Sequence, residues 1–140
     1  MQFQAQPVPS VIKFLQEHYK GGSVLDYGCG TGRYVDYFDE NGYLGVDGYP
    51  QNIEFCKSNW PTYKFLLQDL EGWVPKKKFD YLFSSVTCEQ IDNLPDLRKF
   101  AKTVILVEPI GFKHDYITRF KPTIIEGIKG AEAVLKFMVS

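Results

Sequence analysis

Apolar and polar positions along this chain switch between two periods, and the switches mark out its elements. Val11, Phe14, Leu15 and His18 fall three or four apart, which predicts a helix over 10–19. Ser10 stands where an N-cap would, and Gly21-Gly22 supply the stop. A short apolar run over 23–27 reads as a buried strand that meets a loop at Gly28. A second helix is predicted over 31–41, with Val35, Phe38 and Tyr34 inward and Gly42 ending it. Further strands are predicted at 43–47, 63–67, 79–83 and 103–107, the last continuously apolar, as a central parallel strand should be. Between them, Pro50 opens a helix carrying Ile53, Phe55 and Cys56. Leu97 and Phe100 place another helix over 94–101.

The tail changes character. Two β-like runs, 123–128 and 133–139, flank Lys129-Gly130-Ala131-Glu132, a spacing that suggests an antiparallel hairpin. The order is therefore strand and helix in alternation, then a hairpin. Alternation implies a parallel sheet with helices on both faces, and the hairpin gives it a mixed edge. At 140 residues the chain suits one domain over 1–140, with no room for a separate substrate domain.

Charge and composition narrow the function classes. The formal net charge is -1, and a protein that grips phosphates would carry a basic excess, so no nucleic-acid footprint is present. The run Lys76-Lys77-Lys78 precedes an apolar strand and reads as a solvated turn. Aromatic residues make up 16% of the chain, more than a small core can hide, so some should line a cleft or an interface. Cys29, Cys56 and Cys88 are odd in number and lack metal-ligand spacing, and two histidines complete no zinc set. No metal is expected, and a reduced, cytoplasmic setting fits. The first residues lack a basic start followed by an apolar run, and no apolar stretch reaches about 18 residues; neither a signal peptide nor a membrane span is expected.

The candidate chemistry lies in Gly28-Cys29-Gly30-Thr31-Gly32, directly after the first strand. The dinucleotide fingerprint needs glycine at a position held here by Arg33, and no Gly-Lys-Ser/Thr follows for a P-loop. A nicotinamide-dependent oxidoreductase is thereby disfavoured. Asp26, just before the first glycine, would repel a pyrophosphate and favour a cation such as an α-amino group or a sulfonium.

The stretch Val24-Leu25-Asp26-Tyr27-Gly28-Cys29-Gly30-Thr31-Gly32 resembles the first motif of class I S-adenosylmethionine-dependent methyltransferases, with only Tyr27 unusual in bulk. The segment 79–91, FDYLFSSVTCEQI, is similar to that family's fourth-strand segment. The resemblance implies a Rossmann-like three-layer sandwich with parallel strand order 3-2-1-4-5. It implies S-adenosyl-L-methionine as cofactor, with an acid at Asp47 for the ribose hydroxyls and Asp69 with the Leu70 N–H for adenine. In all it points to Asp26, Tyr27, Gly28, Cys29, Gly30, Asp47, Gly48, Tyr49, Asp69, Leu70 and Ser84 as cofactor-binding residues. The chain also departs from the pattern. Gly48 replaces a bulky apolar group, so either Tyr49 swings in to stack or adenine is held more loosely. Gln90 stands where many relatives have His, and the helix after the fifth strand is shortened to about 111–121.

The implied activity is methyl transfer to a small-molecule acceptor. The alternative is a degenerate module that binds cofactor or a partner without chemistry. Candidate catalytic residues are Glu89, which could equally cap a helix, and His114, beside Asp115 in the connection after the fifth strand. Cys88 reads as a small buried residue, and Arg33 as either a partner for the cofactor carboxylate or an outward helix residue. A chain without a cap domain offers a shallow acceptor pocket, unless the first nine residues or a second subunit of a homo-oligomer complete it. Phe3, Phe112 and Tyr116 are the aromatic candidates for its wall.

Overall fold

The computed structural model describes residues 6–109, 115, 119, 124–127 and 132–138. Helix α1 spans Pro9–His18 and buries Val11, Phe14 and Leu15, the face its spacing predicts. Its N-cap is Val8, with Pro9 in the first turn and no side-chain cap. Ser10 therefore sits inside the helix: proline fixes the entry one residue earlier, where a missing N–H costs nothing. His18 stacks on Phe14 at 4.1 Å between ring centroids, on the rim of that face.

The strands are β1 (Val24–Tyr27), β2 (Tyr43–Asp47), β3 (Lys64–Leu67), β4 (Phe79–Ser85), β5 (Ala101–Pro109), β6 (Ile124–Gly127) and β7 (Glu132–Met138). Helix α2 covers Pro50–Asn59 and buries Ile53 and Cys56, with Phe55 half-exposed. The sheet order is β3-β2-β1-β4-β5-β7-β6. The first five strands run parallel in the expected order 3-2-1-4-5. The hairpin β6–β7 adds antiparallel to β5, in register from Thr103↔Met138 to Pro109↔Glu132. The expected α/β Rossmann-like architecture is the one observed.

Two predicted helices are turns. Over 31–41 only Val35–Tyr37 forms, as a 3-10 turn. Tyr34, Val35 and Phe38 are buried as expected, because a turn and a helix can point the same three residues inward. The reason for the turn lies in the sequence. Tyr, Val, Asp and Phe are weak helix formers, and ring packing replaces the ladder. Tyr34 and Phe38 lie 5.3 and 5.4 Å from Phe83, and the Trp60 indole N–H donates to Asp36 at 2.8 Å. Over 94–101 only Leu97–Lys99 turns, with the Arg98 N–H donating to Asp96. Pro95 keeps the residue before it out of helical geometry, and Ala101 already belongs to β5. The shortened helix over 111–121 lies outside the described residues apart from isolated positions.

Alternation along β5 explains its unbroken apolar run. Ile105 and Val107 face a cluster with Phe14, Tyr34, Phe38, Ile53 and Phe83, under α1 and α2. Val104 and Leu106 face the other way, onto Leu25, Tyr27, Leu82, Leu97 and Phe100. Among the described residues, that second face is covered by loops and 3-10 turns rather than by helices. Each large apolar side chain so buried stabilises the fold by about 1.5–3 kcal/mol. The three layers are present, but the third is built of irregular chain that ends in close reach of the strand tips. Lys76, Lys77 and Lys78 are exposed in the loop before β4, where Lys77 lies over the Phe79 ring. No helix among the described residues is long and apolar enough to cross a membrane.

Candidate active site

At the carboxyl ends of the parallel strands the chain leaves β1 through the glycine loop. The N–H groups of Gly28 and Cys29 both donate to the Val46 carbonyl, at 2.8 and 3.0 Å, which folds the loop over the end of β2. Gly28 sits at φ +81°, and a Cβ there would collide with the Thr87 side chain, so only glycine allows the approach. The Thr87 hydroxyl donates back to the Gly28 carbonyl at 3.2 Å.

Asp47 is the junction of the site. One of its oxygens accepts the Gly30 N–H at 3.3 Å. The other accepts the Tyr49 N–H at 3.1 Å and the Asn52 side-chain amide at 2.9 Å. One carboxylate thus aligns the glycine loop, the end of β2 and the first turn of α2. Asn52 was not foreseen from the sequence; only its place in the first turn after Pro50 could have flagged it.

Two hollows open beside this junction. The first, about 180 Å³, is lined by Asp26, Gly28, Cys29, Gly30, Thr31, Arg33, Tyr34, Phe83, Ser85 and Val86. The second, about 170 Å³, is lined by Asp47, Gly48, Tyr49, Asp69, Leu70, Glu71, Thr87, Gln90 and Ile91. Nine of the eleven residues assigned to cofactor by resemblance line one hollow or the other. Tyr27 and Ser84 do not. Strand alternation turns the Tyr27 ring to the far face, and the buried Ser84 hydroxyl donates to the Tyr27 carbonyl at 2.9 Å. Tyr49 is exposed at the rim of the second hollow, not folded across it. Of the catalytic candidates, Glu89 lies on the 3-10 turn Cys88–Gln90 with its side chain outside the described set, and His114 lies outside it altogether.

Arg33 is not an outward helix residue. The missing helix leaves it at the wall of the first hollow, where its Nε donates to the Gln6 carbonyl at 2.8 Å. The Val8 N–H donates to the Tyr34 hydroxyl at 3.1 Å. Residues 6–8 are therefore fastened to the residues that follow the glycine loop, next to the hollow that Arg33 and Tyr34 line.

Asp26 is buried in the same hollow, and the Tyr43 hydroxyl donates to it at 2.6 Å. Burial pushes its carboxyl up to about 7; the Tyr43 bond opposes the shift and the Asp47 charge adds to it. The Cys29 thiol is pushed up by its hydrogen bond with Cys56 and by burial, so it is not a nucleophile at neutral pH. Both sulfurs rest on the Gly30 carbonyl, Cys56 at 3.3 Å and Cys29 at 3.8 Å. Among the described residues no group of three His, Cys, Asp or Glu side chains is placed to hold a metal.

Two further features stand out. Val86, at the end of β4, has φ +55°, a left-handed conformation that costs a β-branched residue on the order of 1–3 kcal/mol. The Tyr27 hydroxyl is buried and has no hydrogen-bond partner among the described residues. Tyr27→Phe removes a desolvated polar group and should raise stability by about 1 kcal/mol in urea denaturation. A loss of that size would mean that a bound water satisfies the hydroxyl.

A parallel sheet in order 3-2-1-4-5, with a glycine loop and two acids at its carboxyl ends, defines a nucleoside-cofactor-binding α/β domain. The chain matches the methyltransferase-domain family over residues 2–111 and belongs to it, as a class I S-adenosylmethionine-dependent type. It is 30% identical over 87 residues to malonyl-[acyl-carrier protein] O-methyltransferase 1 of Ilyobacter polytropus, which covers 57% of this chain and 32% of that protein. It is 26% identical over 92 residues to trans-aconitate 2-methyltransferase of Escherichia coli, covering 63% of this chain and 36% of that one. The chain thus spans about a third of the length of these curated relatives. TehB from Haemophilus influenzae shares the fold, with a TM-score of 0.73 at 15% identity over 95% of this chain and 63% of that chain.

Proposed function

We propose that this domain binds S-adenosyl-L-methionine across the two hollows and transfers its methyl group to a small-molecule acceptor. The observation that carries the reading is the pairing of charges in the first hollow. Asp26 and Arg33 present one carboxylate and one guanidinium to the same space, which fits the ammonium and carboxylate of an α-amino acid. In the second hollow Asp47 supplies a carboxylate for a vicinal diol, and Leu70 and Ile91 supply apolar wall for a base. The sulfonium of the bound cofactor supplies the reactive methyl. The chain's own task is to orient both partners and exclude water.

The acceptor of such a reaction needs no strong base if it is already nucleophilic. Malonyl and trans-aconitate, named for the two relatives, both carry carboxylates that are ionised at neutral pH, which supports an acceptor of that kind. The cytoplasm, where S-adenosylmethionine is made and thiols stay reduced, is the compartment that suits this reading. Calorimetry tests it: S-adenosylmethionine and S-adenosylhomocysteine should bind, and NADH should not. Absence of heat with both sulfur ligands at about millimolar concentration removes the proposal. In the same assay Asp47→Ala should weaken binding by on the order of 1–3 kcal/mol, since two ribose hydroxyls lose a charged acceptor. An unchanged affinity would place the diol elsewhere.

A further inference from the structure

The second hollow draws its sides from separate segments. Asp69, Leu70 and Glu71 come from the connection between β3 and β4, and Gln90 and Ile91 from the chain that follows β4. The spacing of Leu70 and Ile91 sets the room left for a base, so what holds these two segments together matters to the ligand.

The connection is lightly held. Gln68 makes its last rung on the sheet, with its N–H donating to the Asp47 carbonyl at 3.0 Å. From there to Phe79, among the described residues, the connection makes two hydrogen bonds to other segments, and Glu71 accepts both. One of its oxygens takes the Asp92 N–H at 2.9 Å and the other takes the Asn93 N–H at 3.2 Å. The other bonds are internal: the Trp73 N–H donates to the Leu70 carbonyl at 3.1 Å, and the Glu71 N–H to Asp69 at 3.0 Å. Leu70 and Trp73 also pack on the core. Packing is non-directional and lets one surface slide on another, whereas two N–H groups on one carboxylate fix where it stops. A carboxylate needed only to cap a turn can come from the turn itself, as Asp96 does when it accepts the Arg98 N–H two residues on. Glu71 reaches Asp92 across 21 residues and is the chain neighbour of Leu70, so it ties one side of the hollow to another.

We propose that Glu71 is a positioning residue that determines base specificity. Through the Asp92 and Asn93 N–H groups it sets the spacing of Leu70 and Ile91, and so which bases the second hollow admits. The inference rests on the proposed cofactor and names what selects its base.

Two ligands that differ only in the base isolate this role: S-adenosylhomocysteine and its 1,N6-etheno derivative, whose base carries an extra fused ring. In calorimetry the parent should prefer S-adenosylhomocysteine by about tenfold or more, since an added group is rejected by a pocket that does not yield. Glu71→Ala should cut that preference to about threefold or less, by weakening S-adenosylhomocysteine more than the derivative. A merely structural loss weakens both ligands alike and leaves the ratio where it was. Amide hydrogen exchange reads the tie itself: the Asp92 and Asn93 N–H groups should exchange faster in the variant, while those of β1 and β4 should not. Glu71 is exposed, and the variant is expected to fold. Glu71→Gln keeps one accepting oxygen and carries the same test with a smaller drop in preference. A parent with no preference, an unchanged ratio in both variants, or unchanged exchange at Asp92 and Asn93 overturns the proposal. A parent that does not bind S-adenosylhomocysteine instead removes the cofactor assignment itself, and that result is read before any variant.

Discussion

Asp26→Asn is expected to lose S-adenosylhomocysteine affinity by ten- to a hundredfold while the protein becomes more stable above neutral pH. Both effects come from one carboxyl. Burial drives its pKa up to about 7, against an ordinary 3.8. The folded state therefore binds this proton more tightly than the unfolded state does. Between pH 4 and 7 the folded form carries a proton that the unfolded form has released. The stability owed to this group is complete below about pH 4 and is lost as pH rises through 7. The gap corresponds to on the order of 4 kcal/mol. Asparagine keeps an oxygen for the Tyr43 hydroxyl and removes the buried charge, but its amide must still be desolvated, so a gain of about 2 kcal/mol at pH 8 is expected. The ligand's ammonium, conversely, needs the ionised form. Parent affinity should rise with pH from 6 to 8, with proton release on binding at pH 6, and the variant should show neither dependence. Calorimetry in buffers of different ionisation enthalpy reads the proton directly. If the variant binds as the parent does at every pH, the amino group is not seated on Asp26. The destabilisation would then be the signature of a site built for some other cation.

This trade between stability and function was half visible in the sequence. Asp26, Asp47 and Asp69 are legible because each lies within two residues of the carboxyl end of a strand, and strands in this chain are short apolar runs bounded by glycine, proline or charge. Position at a parallel strand's carboxyl end is enough to place a side chain at the cleft. Tyr27 and Ser84 show where such reasoning stops. Each neighbours a residue that lines a hollow, yet alternation turns their side chains away from it. Arg33 was ambiguous because its direction depended on a helix over 31–41, and the inward positions of Tyr34, Val35 and Phe38 fit a helix and a turn equally well. Glu108 could not be singled out at all. One group it accepts is a backbone N–H 20 residues earlier, next to a strained Val86 that carries no mark in its amino-acid type.

Removal of residues 123–140 should abolish cooperative folding, not merely activity. The family match ends at residue 111, so the hairpin could be taken for an appendage. The backbone register argues otherwise. β7 pairs with β5 over seven consecutive residues, from Thr103↔Met138 to Pro109↔Glu132. Without it, β5 becomes an edge strand with a row of unpaired N–H and C=O groups. At about 1 kcal/mol for each lost hydrogen bond, the loss is comparable with the whole stability of a small domain, about 5–15 kcal/mol. β5 is also the wrong strand to leave at an edge. Val104, Ile105, Leu106 and Val107 are all buried, two on each face, so neither side carries the charges by which natural edges avoid pairing with other chains. The truncated chain should therefore aggregate on expression, or melt without a cooperative transition in circular dichroism. A synthetic peptide of residues 123–140 added during refolding should recover part of the soluble fraction by re-forming β7 against β5. A soluble 1–122 chain with a sharp thermal transition would mean that the five parallel strands close their own edge, and that the hairpin serves something other than the fold.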